Sequence, residues 1–221
     1  MLRSFAIIFL LPVLTLSAES TDTLVQKIIA RDTANADLSV ITDENRQKIV
    51  EIARNVVLRK VEGNYVGAQI LLLRLGDAQT IKELQTLFSE YKGKEAWQEV
   101  PFYVERARQP LLVEAFSSSL YSPLDQGVKG IVGGVKTEVV TLVPPKPVMA
   151  GALIISTIRQ SKEFSPELKA WAKEMAHNLD EADFISKMRL WWEQNKERFV
   201  TLKFKEVEPL RRAAASPLPR E

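Results

Sequence analysis

The chain has no cysteine and one histidine, His177, in 221 residues. Without thiols there is no disulfide, no cysteine nucleophile and no thiolate-ligated zinc. A lipid-anchored bacterial precursor, which needs a Cys at its cleavage point, is excluded as well. Neither sign of charge predominates, since 30 Lys and Arg stand against 28 Asp and Glu for a net charge of +2. Lys and Glu alternate along most segments instead of gathering into the basic face that phosphate neutralisation requires, so nucleic acid is not an expected partner. No apolar run reaches the roughly 20 residues of a membrane-spanning helix. The aromatic content is an ordinary 8%, whereas helical-barrel glycosidases line a deep cleft with many aromatic side chains.

What is present begins with an export signature. Arg3 is followed by an apolar run from Phe5 to Leu16 interrupted by Pro12, and Ser17 and Ala18 are small residues at which a peptidase can cut. Residues 1–18 are read as a signal peptide, with a periplasmic or extracellular destination and no membrane span after cleavage. The remaining chain, of roughly 200 residues, is long enough to bury a core that needs no covalent staple. Residues 19–42 are read as an N-terminal segment with a short helix, residues 43–204 as a helical domain and residues 205–221 as a disordered tail, in which Arg211, Arg212 and Arg220 stand among Ala, Ser and Pro.

Within the helical domain a pattern recurs 84 residues apart. Gly67, Ala68, Ile70 and Leu71 are echoed by Gly151, Ala152, Ile154 and Ile155; downstream, Leu84, Leu87, Phe88 and Tyr91 are echoed by Leu168, Trp171, Ala172 and Met175. The second set of each copy has i, i+3, i+4, i+7 spacing, one buried helix face. Ahead of the first copy, Thr42 suits an N-cap and Asp43 and Glu44 suit the positive end of a helix reaching about Lys60. The stretch Val66 to Leu75 is apolar almost all round, as in a helix covered on more than one side. Gly76 then suits a left-handed helix stop, and Asp77 starts the next helix.

The run Gly67 to Leu87, with its apolar first helix, its Leu75-Gly76-Asp77 turn and its amphipathic second helix, resembles a HEAT repeat. The resemblance implies an all-α, HEAT- or armadillo-like solenoid of helical hairpins about 40 to 47 residues per step. It also implies recognition of another protein through the inner helices of the stack. About two thirds of the chain after the signal can be laid on the pattern. In the middle copy, Pro110 opens a first helix carrying Leu111, Leu112, Ala115 and Phe116, and Val128, Ile131, Val132 and Val135 repeat the second-helix spacing. Gly127, Gly130, Gly133 and Gly134 oppose that helix, at about 1 kcal/mol each relative to Ala. Residues 127–143 are therefore expected to be irregular or partly extended. Residues 94–108 lie outside the hairpin scheme and predict an inserted helix broken before Pro101. The third copy comprises Val148 to Ile158 and a second helix opened by Ser165, Pro166 and Glu167. The helix Ala182 to Phe199 caps the stack with Phe184, Met188, Trp191, Trp192 and Phe199, and Val200, Leu202 and Phe204 alternate as a short extended arm.

No chemical motif stands out. Glu174 and His177 form one i, i+3 pair, but a di-iron bundle needs a second pair and two further carboxylates. The expected reading of His177 is a residue near a helix C-terminus, where its charged form is favoured. No Gly-x-Ser-x-Gly elbow accompanies it, and Gly134-Val135-Lys136-Thr137 departs from the Gly-Lys-Ser/Thr ending of a phosphate loop. Paired carboxylates of the glycosidase kind cannot be identified from spacing. No catalytic, metal or cofactor-binding residue is therefore assigned, and no cofactor is expected. Trp97, Tyr103 and Trp192 are the candidate ligand-contact aromatics, because such side chains join a large contact area to a polar group; packing is the competing explanation for each. The leading expectation is a non-catalytic protein-binding or scaffolding module. The alternatives are a carbohydrate- or peptide-binding protein of the cell envelope and a small helical hydrolase.

Overall fold

The computed structural model describes residues 20–30, 32–89, 94–123, 130–132, 139–141, 144–178 and 180–210, with side chains except at 94–98, 130–132 and 139–141. The signal segment 1–18 and residues 211–221 of the tail lie outside the described residues. The described residues form nine α-helices: α1 (Thr21–Ala30), α2 (Asp43–Val57), α3 (Tyr65–Arg74), α4 (Ala78–Ser89), α5 (Lys94–Ala107), α6 (Leu111–Ser117), α7 (Lys146–Gln160), α8 (Pro166–Met175) and α9 (Glu181–Val200). The class is all-α. The exception is a short antiparallel ribbon in which β1 (Gly130–Val132) pairs with β2 (Val139–Thr141), Ile131 opposite Val140.

The α3–α4 turn shows how local sequence sets this geometry. Gly76 adopts φ +71°. Its N–H donates to the Leu73 carbonyl, and the Asp77 N–H donates to that of Leu72, each at 3.0 Å. This is the paired closure of a helix whose left-handed stop residue has no Cβ to strain. Asp77 then caps α4, its carboxylate accepting from Thr80 N at 2.9 Å and Thr80 Oγ1 at 2.7 Å. Helix α2 secures the turn from the side. Arg46 donates to the Leu75 carbonyl and Arg54 pairs with Asp77. These arginines, off the apolar stripe of α2, therefore hold the polar edge of the next hairpin.

Two apolar clusters form the interior of the described residues. One joins α1, α2 and one face of α3 through Val25, Ile29, Ile49, Val56, Leu71 and Leu72. The larger surrounds α7, which packs against α5, α6, α8 and α9. Leu73 belongs to the larger cluster while Leu71 and Leu72 belong to the smaller, so α3 is apolar all round because it serves both. The echoed glycines sit at close helix approaches. A Cβ on Gly67 would lie 2.3 Å from the Ile29 carbonyl oxygen of α1, and one on Gly151 would lie 2.5 Å from the Phe184 ring of α9. The first copy thus meets a preceding helix and the third a following one.

The middle copy carries the extended backbone expected within 127–143: Gly130–Val132 is a strand paired with Val139–Thr141, and residues 127–129, 133–138 and 142–143 lie outside the described residues. Glycine lowers helix propensity and β-branched residues favour an extended chain, so both effects act in the same direction. Three expectations are corrected. Helix α5 is not broken before Pro101 but runs through it. Val100 and Val104 on either side of the proline are 1% and 0% exposed, and their burial in the large cluster holds the backbone helical where propensity opposes it. The arm and the start of the tail are also different. Val200 ends α9, Leu202 takes φ +56°, and Phe204 opens a single 3₁₀ turn to Glu206. Residues 205–210 continue along α9 rather than leaving it. Val207 is buried, the Glu208 carbonyl accepts from Trp191 Nε1 at 2.8 Å, and Glu208 N donates to Asn195 Oδ1 at 3.0 Å.

Candidate functional site

The three candidate aromatics have separate fates. Trp192 is 9% exposed, its ring 5.4 Å from that of Phe199. It is a core residue of α9, because the face offered for a ligand is occupied by the helix's own phenylalanine. Trp191 is likewise buried, stacked on Trp171 at 5.3 Å. Trp97 falls within α5, and its side chain lies outside the described residues. Tyr103, two residues beyond Pro101, lines a surface groove.

That groove, of about 320 Å³, runs between α3, α4 and α5. Helix α3 supplies Tyr65 and Gln69, which are i, i+4 neighbours on one face; Gln69 Nε2 donates to Tyr65 Oη at 2.9 Å. Gln69 Oε1 is buried without a hydrogen-bond partner, a group that ordinarily finds one. Helix α4 contributes Glu83 and Leu87, and α5 contributes Glu99 and Tyr103. Burial raises the Tyr103 phenol above its usual range, and the neighbouring Tyr65 and Glu99 push the same way. Tyr103 is therefore a neutral hydroxyl at physiological pH, able to donate and to accept. Its ring is fixed edge-on against Phe102 at 5.3 Å, and the Arg106 guanidinium covers Phe102 at 3.7 Å.

Leu73 and Leu84 form the apolar floor, while Glu83 and Glu99 are exposed at the rim. Beyond Tyr65 the apolar surface continues, with Leu58, Val61 and Val66 all exposed around the α2–α3 connection. Two phenols, an amide with a free acceptor and two carboxylates over an apolar floor suit an extended ligand with an apolar body and a cationic group. The sequence reading found Tyr103 and missed Tyr65, Gln69, Glu83 and Glu99. Tyr65 and Gln69 had a visible signal: before Arg74 at its end they are the polar-tipped residues of an apolar helix, spaced to share a face. The carboxylates had none, since they look like any solvated helix edge.

His177 stands just beyond α8, exposed, with Nδ1 2.7 Å from the Lys173 carbonyl. Among the described residues no group of three His, Asp or Glu side chains is placed to hold a metal ion, and no helix is long and apolar enough to cross a membrane. Fold and groove together define an all-α protein with an open, acid-rimmed aromatic groove. No protein-family model matches the chain, and neither a curated protein nor a solved structure matches it.

Proposed function

We propose that this chain is an exported, non-catalytic binding protein, a short HEAT-like stack of helices that receives a peptide segment of a partner in the groove between α3, α4 and α5. The observation that carries the reading is the groove itself: Tyr65 and Tyr103 over Leu73 and Leu84, with Glu83 and Glu99 at the rim. Charge complementarity selects a segment bearing Lys or Arg, whose aliphatic stem rests on the phenol rings while its head meets the carboxylates. The exposed apolar residues at the α2–α3 connection extend the contact for neighbouring side chains of the same segment. The stack reading draws support from the hairpins α3–α4 and α7–α8, each of whose first helices uses its echoed glycine for close packing.

The test is fluorescence anisotropy with labelled peptides of matched hydrophobicity that differ in charge. Basic peptides should bind more tightly than neutral or acidic ones, and increasingly weakly as salt is raised. Glu99→Gln and Tyr103→Ala should each weaken binding about five- to thirtyfold, a loss on the order of 1–2 kcal/mol. Equal binding of all charge classes, or binding of glycans in place of peptides, would overturn the reading.

A further inference from the structure

The opposite end of α3 opens on a second cavity with the reverse charge. It has a volume of about 570 Å³ and lies among the 34–38 loop, the last turn of α3, the α5–α6 connection and the α7–α8 connection. Its size falls within the range of about 300–1,000 Å³ common for small-molecule sites. Arg74, Arg108 and Lys162 line it, and none of the three forms an ion pair within the described residues. Asp37 and Glu163 also line it and are exposed to solvent.

The two arginines are held differently. Arg74 is positioned by the backbone, Nη1 donating to the Thr33 carbonyl at 2.5 Å and the Ala36 carbonyl at 2.9 Å. Its own carbonyl accepts from Gln109 Nε2 at 3.0 Å. Burial and then the charge of Arg108 lower its pKa, against the pull of Asp32 and Asp37; the guanidinium groups are close enough to repel. Arg108 follows the end of α5 at φ +54°, a place and a conformation that glycine normally takes. Its Nε is buried with no hydrogen-bond partner, and its guanidinium makes no side-chain hydrogen bond to the protein among the described residues. A strained backbone thus holds a desolvated, unsatisfied donor beside a second, fixed guanidinium. No contact among the described residues explains that arrangement.

We infer that this cavity binds an organic anion, whose carboxylate or phosphate group is received jointly by Arg74 and Arg108. Planar guanidinium groups present paired N–H donors that match the oxygens of either group. An anion between them would satisfy the buried Nε and replace repulsion with attraction. Leu38, Pro110 and Phe204 add apolar lining for the remainder of the ligand. The site is independent of the groove described above, and either assignment can fail without the other.

Thermal unfolding of the full chain tests it, using phenyl phosphate, inorganic phosphate, benzoate and succinate against potassium chloride at matched ionic strength. At least one oxyanion should raise the midpoint saturably, as a ligand that binds only the folded state does. A response to the phosphates alone assigns a phosphoryl ligand, and one to the carboxylates alone assigns a carboxylate ligand. Arg108→Gly should have a higher midpoint than the wild type in chloride, because the left-handed strain is relieved, and an apparent affinity for the anion weakened at least about tenfold. Arg108→Gln, which keeps the strained backbone, should lose the anion response without that gain. The inference is overturned if no oxyanion shifts the wild type beyond chloride, or if the variants respond as the wild type does.

Discussion

Glycines 67 and 151 occupy matching places in the sequence echo, yet they should differ in what substitution costs. At Gly67 an added Cβ meets backbone, 2.3 Å from the Ile29 carbonyl oxygen, with Thr33 Oγ1 at 2.9 Å. Relief would require α1 to move away from α3. At Gly151 the obstacle is the far edge of the Phe184 ring, a buried side chain whose outer atoms can shift more readily than a backbone carbonyl can. Overpacking costs typically about 1–3 kcal/mol, so Gly67→Ala should fall at or above the top of that range and Gly151→Ala near the bottom. Chemical denaturation of the two variants checks the order. Asp77 supports a second prediction at this scale. Burial alone would raise its pKa, but hydrogen bonds from Thr80 and Arg54 outweigh burial and leave it below 3.8. With the folded value below the unfolded one, the stabilisation is complete above about pH 4 and is lost as pH falls through the depressed folded value. The stability difference between wild type and Asp77→Asn should therefore be level from pH 7 to 5 and narrow only below about pH 4, read from denaturation curves at each pH.

Among the elements, those legible in the sequence were those whose local signals and burial agree. Thr42, Gly76 and Ser165 mark the boundaries of α2, α3 and α8 because capping is a matter of a few neighbouring atoms. Helix α3 was legible as an all-round apolar segment and α7 as the first helix of the third copy, although which neighbours cover them was not. The sequence reading failed at Pro101, where local preference and tertiary setting pull apart. The candidate site was read in one of its lining residues, Tyr103; Tyr65 and Gln69 share a legible face of α3, but nothing local shows that α4 and α5 bring their carboxylates to it. The proline yields a direct test. A proline inside a helix costs about 3 kcal/mol relative to alanine, and α5 remains helical only through the burial of Val100, Val104 and Ala107. Pro101→Ala should raise stability by about 1–3 kcal/mol with the helical circular dichroism signal retained or increased. Between elements, Arg54→Met should lower stability by about 1–2 kcal/mol, because it leaves the Asp77 carboxylate buried without its cation. A double-mutant cycle with Asp77→Asn should recover part of that loss.

At the scale of the whole molecule, the two apolar clusters share one helix and little else. The pairwise packing of α1 and α2 is with each other and with α3, whereas α7 gathers α5, α6, α8 and α9. Such an arrangement lets the N-terminal cluster open while the larger one stays folded, because α3 can keep Leu73 in place after Leu71 and Leu72 lose their neighbours. Leu71→Ala and Ile154→Ala each truncate a side chain that is 0% exposed, and each should cost about 2–5 kcal/mol locally. Their reach should differ. In native-state hydrogen exchange, Leu71→Ala should speed exchange in α1 and α2 and leave α7 near its wild-type protection. Ile154→Ala should lower protection throughout, since loss of the α7 cluster removes the surface on which α3 rests. A uniform loss of protection in both variants would instead mean one cooperative core. In that case the acidic groove on α3, α4 and α5 could not be loosened by opening α1 and α2. If the separation holds, a partner segment that bridges the α2–α3 connection and the groove should slow exchange in α1 and α2 most, because it ties the weaker cluster to the stronger.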